Sequence, residues 1–327
     1  MTDLSSLSFF SYQLVLLLAV IISKCVISHF THHEPLRFFQ FYCQILSNKV
    51  NKEENSAKQQ TIAGLIAILI TLVPILVILW LFESFIVVDF LWQFFLLYLA
   101  IGSFGLSGLN KSIAQAIVAK QNYLAKQTLK PMVLRETETL SNLGLSKTAI
   151  EMKLLRTLQL GYAVAVIFVI AGPLVSLTFR LLLEMHYCWN SKLEKYHNFG
   201  QYSTKLVRLL QWFPVRIFSL LLLFSCIGQN FWLFWRLSRQ HFFQLNNNIA
   251  LLLLALSLEV RLGGVAIYKA TDGSHKKLRK VSFNDLARQP QVTDIIHANN
   301  KINYLVCFSI LLMILSASAI ELVIANI

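Results

Sequence analysis

Six windows of this 327-residue chain, at about residues 8–30, 61–82, 85–106, 160–183, 213–235 and 303–325, are apolar over about the 20 residues that a helix needs to cross a bilayer core. A backbone in lipid must satisfy its own hydrogen bonds, so such windows fold as helices. The chain is therefore expected to be an all-α polytopic membrane protein with about five to seven membrane-embedded helices. A further run near 249–258 is too short to span alone. Composition agrees, since only 14% of residues are charged where a soluble domain carries about 25%. No Lys or Arg precedes the first window and no small-residue cleavage site closes it cleanly, so it is read as an uncleaved first helix. No repeat or long low-complexity tract divides residues 1–327, and one membrane domain is expected.

The net charge is +13, yet the cations sit in loops beside apolar windows without interleaved base-stacking aromatics, which argues against nucleic acid. Membrane topology explains them. The 83–90 loop has Glu83 and Asp89 and no Lys or Arg, and belongs outside. The 107–159 loop carries Lys111, Lys120, Lys126, Lys130, Arg135, Lys147, Lys153 and Arg156, and belongs in the cytoplasm with the 31–60 segment. The 160–183 window does not fit this scheme, because basic loops flank it on both sides and Ala171-Gly172-Pro173 interrupts it. A true span and a re-entrant helix fit it equally, since irregular backbone at membrane depth is tolerated when buried in protein. From Asn110 to Lys130, Ile113, Ile117 and Leu124 share one side, as in a helix lying along the cytoplasmic interface or packed on the protein. Near the end, Asp272-Gly273 signals a turn, and Ser282 or Asn284 is placed to cap a short helix.

Standard chemical motifs are absent. There is no phosphate-loop signature and no H-E-x-x-H. His29, His32, His33 and Glu34 read better as a polar juxtamembrane edge than as a metal site, which needs a further ligand cluster. Cys25, Cys43, Cys188, Cys226 and Cys307 are scattered and form no C-x-x-C pair, so neither a disulfide framework nor zinc is expected. Gly263 and Gly264 allow close backbone approach to a phosphate, though a plain turn is the default. Lys276–Lys280 is an inside-orientation signal or a contact for anionic lipid. Arg180 and Glu184 share a helix face at four-residue spacing and suit interfacial anchoring.

Several of these pieces resemble the CobD/CbiB family of cobalamin biosynthesis. Pro35 and Arg37 match its H-P-x-R element, and Arg135, Thr137 and Leu140 match a V-G-R-D-T-x-x-L element with Glu136 for Asp. Glu194, Lys195, Tyr196, Gly200, Pro214 and Arg216 match a third region. Leu262, Gly263, Gly264 and Tyr268 match L-G-G-x-x-x-Y. The resemblance implies a multi-pass protein of the bacterial inner membrane and an adenosylcobinamide-phosphate synthase. Such an enzyme uses ATP and magnesium to join adenosylcobyric acid to an aminopropanol or its phosphate. However, Leu155, Gln159, His186, Val207, Arg208 and Leu251 stand where the family carries acids and Arg156 where it carries Asn, while Glu151 and Thr157 remain.

"LQWFPVRI" and "LARQPQV" are also similar to the AmpE-like branch, linked to regulation of β-lactamase expression. The combined expectation is a catalytically degenerate, AmpE-like regulator of envelope or β-lactam response, with no catalytic residue, metal or cofactor. Its partners would be the lipid bilayer and a small anionic or phosphorylated ligand. That ligand would be held by Arg37, Arg135, Glu136, Glu151, Lys195, Arg216, Gly263, Gly264 and Tyr268. The alternative is a working synthase with magnesium and ATP, which requires Glu136, Glu151, Glu184 and Glu194 to converge.

Overall fold

The computed structural model describes residues 8–30, 36–102, 106–228, 231–269 and 275–325. His32, His33, Glu34, Pro35 and the Asp272-Gly273 turn lie outside them. The helices are α1 (Phe9–Phe30), α2 (Arg37–Val50), α3 (Ala57–Glu83), α4 (Asp89–Ala100), α5 (Leu106–Val118), α6 (Asn122–Leu129) and α7 (Asn142–Arg156). They continue with α8 (Ala163–Cys188), α9 (Gln201–Phe224), α10 (Phe231–Ser238), α11 (Asn248–Ser257) and α12 (Val292–Ala325). A π-helical turn, Thr157–Tyr162, joins α7 to α8.

Among the described residues, five stretches are long and apolar enough to cross a membrane: Phe9–Ile27, Ala57–Glu83, Asn142–Cys188, Gln201–Phe224 and Val292–Ile324. The protein is thus all-helical and polytopic in its membrane part. Outside that part, β1 (Leu262–Lys269) and β2 (His275–Phe283) form an antiparallel hairpin that the periodicity did not predict. Ser282 is accordingly a strand residue that accepts from Arg261 Nε at 3.1 Å, not a helix cap. The 85–106 window yields only the 12 residues of α4. The expected Asn110–Lys130 helix is broken at Lys120, whose φ is 58°, and Leu124 is half exposed while Ile113 and Ile117 are buried.

The Asn142–Cys188 stretch is a helical hairpin. Tyr187 Oη donates to Gln159 Oε1 at 2.8 Å, although 28 residues of straight helix would separate these positions by about 42 Å. The chain must therefore reverse midway, at Gly172, where φ is 81° and ψ is −178°. Both ends then lie on one side, which removes the conflict with the basic flanks and favours the re-entrant alternative. The ascending arm sits between two cores. Leu158, Tyr162 and Val166 pack with α5, α7, α9, α11 and α12, whereas Leu160, Val164 and Ile167 pack with α1, α3 and α4.

That backbone region is open essentially to glycine alone, and nothing lies within 4 Å of where a Cβ would stand. The whole cost of Gly172→Ala is therefore backbone strain, about 1–3 kcal/mol. The expected outcome is a melting temperature several degrees lower in detergent, measured by the unfolding of the purified protein.

Candidate functional site

At the open end of the hairpin, on the face read as cytoplasmic, charged side chains from four elements meet around Glu151. This glutamate sits on α7, 4% exposed. Its Oε2 is paired with Arg135 Nη2, and its Oε1 accepts the backbone N–H of Gly263 at 2.9 Å. Gly263 has φ 77°, and a Cβ there would stand 2.1 Å from the Val281 carbonyl oxygen, so only glycine lets the strand present its N–H this closely. The segment carrying Arg135 is attached to the same strand, because the Glu136 N–H donates to the Ile267 carbonyl at 2.9 Å. Tyr268 is buried beside them, and burial raises its phenol above the ordinary 10.0, so the ring contributes a neutral hydroxyl.

Two further cations, Lys192 and Arg208, border this pair, and Arg156 packs on the hairpin. Arg156 donates to the Met132 carbonyl at 3.2 Å and lies 5.9 Å over the Tyr187 ring. Lys192 follows the hairpin and Arg208 lies on α9; both are reached by solvent. The Lys192 pKa is lowered first by the desolvation its neighbours impose, then by the like charges of Arg208 and Arg135, with Glu151 opposing. Neutral groups close the wall. Gln159 Nε2 donates to Gln211 Oε1 at 3.0 Å, while His186 contacts Thr204 Oγ1 at 3.2 Å and Asn190 Nδ2 at 3.4 Å. Three cations around one already paired carboxylate suit an anion, because guanidinium groups offer fixed forks to carboxylate or phosphate oxygens.

The structure thus brings Arg135, Glu136, Glu151, Gly263 and Tyr268 together, with Gly264 next in the strand, and adds Lys192 and Arg208. Arg208 stands where the family carries an acid, whereas the advance signal for Lys192 was its position in a basic loop. Three expected members lie elsewhere. Arg37 is exposed at the start of α2. Lys195 reaches away to Asn48 Oδ1 at 2.8 Å. Arg216 is buried, and its guanidinium donates to the carbonyls of His241, Phe242, Gln244 and Asn246. The four carboxylates do not converge either: Glu184 binds Arg180 Nη2 at 2.6 Å and Gln40 Nε2 at 2.7 Å on α8, and Glu194 is exposed in a short 3₁₀ turn.

The Lys192 shift has a signed consequence. Its folded-state pKa lies below the usual 10.5, so between the two values the unfolded chain binds more protons and stability rises with pH. Anion affinity runs the opposite way, since it needs the ammonium. Binding of inorganic phosphate is expected to weaken as pH rises toward 10.5, and Lys192→Met is expected to flatten that profile in a calorimetric titration.

Comparison with known proteins bears on what this site serves. The model of the CobD/Cbib protein family matches residues 16–300. The cobalamin biosynthesis protein CobD of Chromobacterium violaceum is 25% identical over 205 residues, which cover 63% of this chain and 66% of that protein. The protein of the same name in Leptospira interrogans is 26% identical over 200 residues, covering 59% and 61%. That of Stutzerimonas stutzeri is 24% identical over 237 residues, covering 72% and 76%. The matched segment spans just under two thirds of the first two relatives. No solved structure matches the chain.

Proposed function

The chain belongs to the CobD/CbiB family, and on that premise we propose that it serves cobalamin biosynthesis in the bacterial inner membrane, at the amide-forming step the resemblance implies. The observation that carries this reading is the cluster of Arg135, Lys192 and Arg208 around Glu151, which suits a reactant bearing carboxylate or phosphate. Arg135 is held in place by Glu151, which is itself fixed by the Gly263 N–H, so the fork is pre-oriented before any ligand arrives. The names of the matched relatives support the same pathway.

An ATP-driven form of the reaction would use magnesium, a hard cation that seeks carboxylate oxygens. Among the described residues no group of three or more His, Cys, Asp or Glu is placed to hold a metal ion, and both Glu151 oxygens already accept bonds. These residues do not make a protein-held magnesium site, and the chain's own part is to bind and orient the anionic reactant.

One observation favours the second reading, an AmpE-like regulator. Three of the positions where the family carries acids are packed without a carboxylate: Gln159 is tied to Gln211 and Tyr187, His186 to Thr204, and Val207 is 1% exposed, while Arg208 puts a cation at another. Complementation of a strain lacking adenosylcobinamide-phosphate synthase separates the two. Corrinoid-dependent growth is expected if the biosynthetic reading holds. Failure to grow with normal membrane levels would sink it and direct attention to β-lactam response in a deletion strain.

A further inference from the structure

α2 rests on the return arm of α8 through a row of contacts. Gln40 Nε2 donates to Glu184 Oε2 at 2.7 Å, and Trp189 Nε1 donates to the Cys43 carbonyl at 3.0 Å. Between them, Cys188 Sγ donates to the Gln40 carbonyl at 3.8 Å. Gln40 and Cys43 lie one helical turn apart on the same face, so the carbonyl that receives the Cys188 thiol is beside the Cys43 side chain. Both side chains therefore meet at one junction of α2 and the arm, and both cysteines are free. Cys43 is fully buried, whereas Cys188 is half-buried at the end of the arm.

We infer that Cys43 and Cys188 form a reversible thiol–disulfide modification site that locks α2 onto the return arm of the hairpin. The oxidant is a low-molecular-weight disulfide, R–S–S–R. The Cys188 thiolate attacks one of its sulfurs, expels R–S⁻ and becomes a mixed disulfide. The Cys43 thiolate then attacks the Cys188 sulfur and expels the second R–S⁻. Two protein thiols and one R–S–S–R give one internal disulfide and two R–SH, the cysteine protons passing to the leaving thiolates. Access sets this order, because Cys188 is the sulfur that solvent reaches. The neighbouring Cys188 thiol and burial both push the Cys43 thiol up, so it reacts second, through proximity. Because the Cys188 thiol already reaches the Gln40 carbonyl one turn from Cys43, closure calls for side-chain rotation at this junction rather than a new docking of α2. The bond would fix the arm that carries His186 and Tyr187 beside the cation cluster, and so couple thiol redox state to that cluster.

The test uses membranes containing the full chain, treated with glutathione disulfide, blocked with N-ethylmaleimide and mapped by mass spectrometry. A Cys43–Cys188 cross-linked peptide is expected, reversed by dithiothreitol and at least about ten-fold more abundant than any pairing with Cys25, Cys226 or Cys307. Cys43→Ser and Cys43→Ala should each leave Cys188 as its glutathione adduct, and Cys188→Ser should leave Cys43 unreacted. The inference is overturned if the unsubstituted protein carries glutathione on Cys188 as fully as the Cys43 variants do. It is equally overturned if both cysteines stay alkylatable. Should the variants fail to reach the membrane, the cross-link map of the unsubstituted protein decides alone.

Discussion

Glu151→Ala is expected to lower stability by about 3–5 kcal/mol, because it removes one partner of a nearly buried ion pair and strands the other. Arg135 would be left as an uncompensated cation and the Gly263 N–H without its acceptor, so one substitution loosens α7, the Arg135 segment and the β-hairpin together. The expected result is a greatly reduced membrane yield and a melting temperature lower by ten degrees or so in detergent. Glu151→Gln, which still accepts from Gly263 but lacks charge, should cost less. The pair Arg135→Met with Glu151→Leu should recover much of the loss, since well-packed apolar replacements of a buried pair are often neutral. That double variant would also separate roles. If it folds but no longer binds phosphate, the pair orients the anion site; if phosphate binding survives, the site is wrongly placed.

Most of the membrane architecture was legible in the sequence because lipid imposes one simple demand, a long apolar helix, and each spanning helix announces itself by length and composition. The hairpin at Gly172 was half legible. The basic flanks and Gly172-Pro173 marked a break, but reversal became visible only when Gln159 was found against Tyr187. The β-hairpin was hidden for a physical reason: its strands are rich in Lys and Gly, and strand character there depends on pairing rather than on residue preference. The site shows the same division. Arg135 and Glu151 stood out through the resemblance and Arg208 as a replacement for a family acid, yet Lys192 looked like every other cation in a basic loop. Cys43 and Cys188 offered no signal, since sequence spacing says nothing about a thiol pair assembled by helix packing.

Arg216 is where pattern and structure part most clearly, and its replacement carries the second large effect. Sequence matching placed it in the anion site, but its side chain is 3% exposed and donates to four carbonyls of the 241–246 loop, between the rings of Trp212 and Phe242. Carbonyl dipoles satisfy the guanidinium without any carboxylate, which makes Arg216 a clasp joining α9 to the chain before α11. Arg216→Met would strand those carbonyls and is expected to cost about 3–5 kcal/mol, given the penalty for each buried acceptor left unmet. Arg216→Lys should recover only part of this, because a single ammonium cannot reproduce the planar fork. Limited proteolysis should cut the 239–247 segment at least about ten-fold faster in Arg216→Met, as expected when local opening costs less free energy. Phosphate affinity in Arg216→Lys should stay near that of the unsubstituted protein. Loss of phosphate binding in a well-folded, protease-resistant Arg216→Lys would instead return this residue to the anion site and require the loop to open when ligand binds.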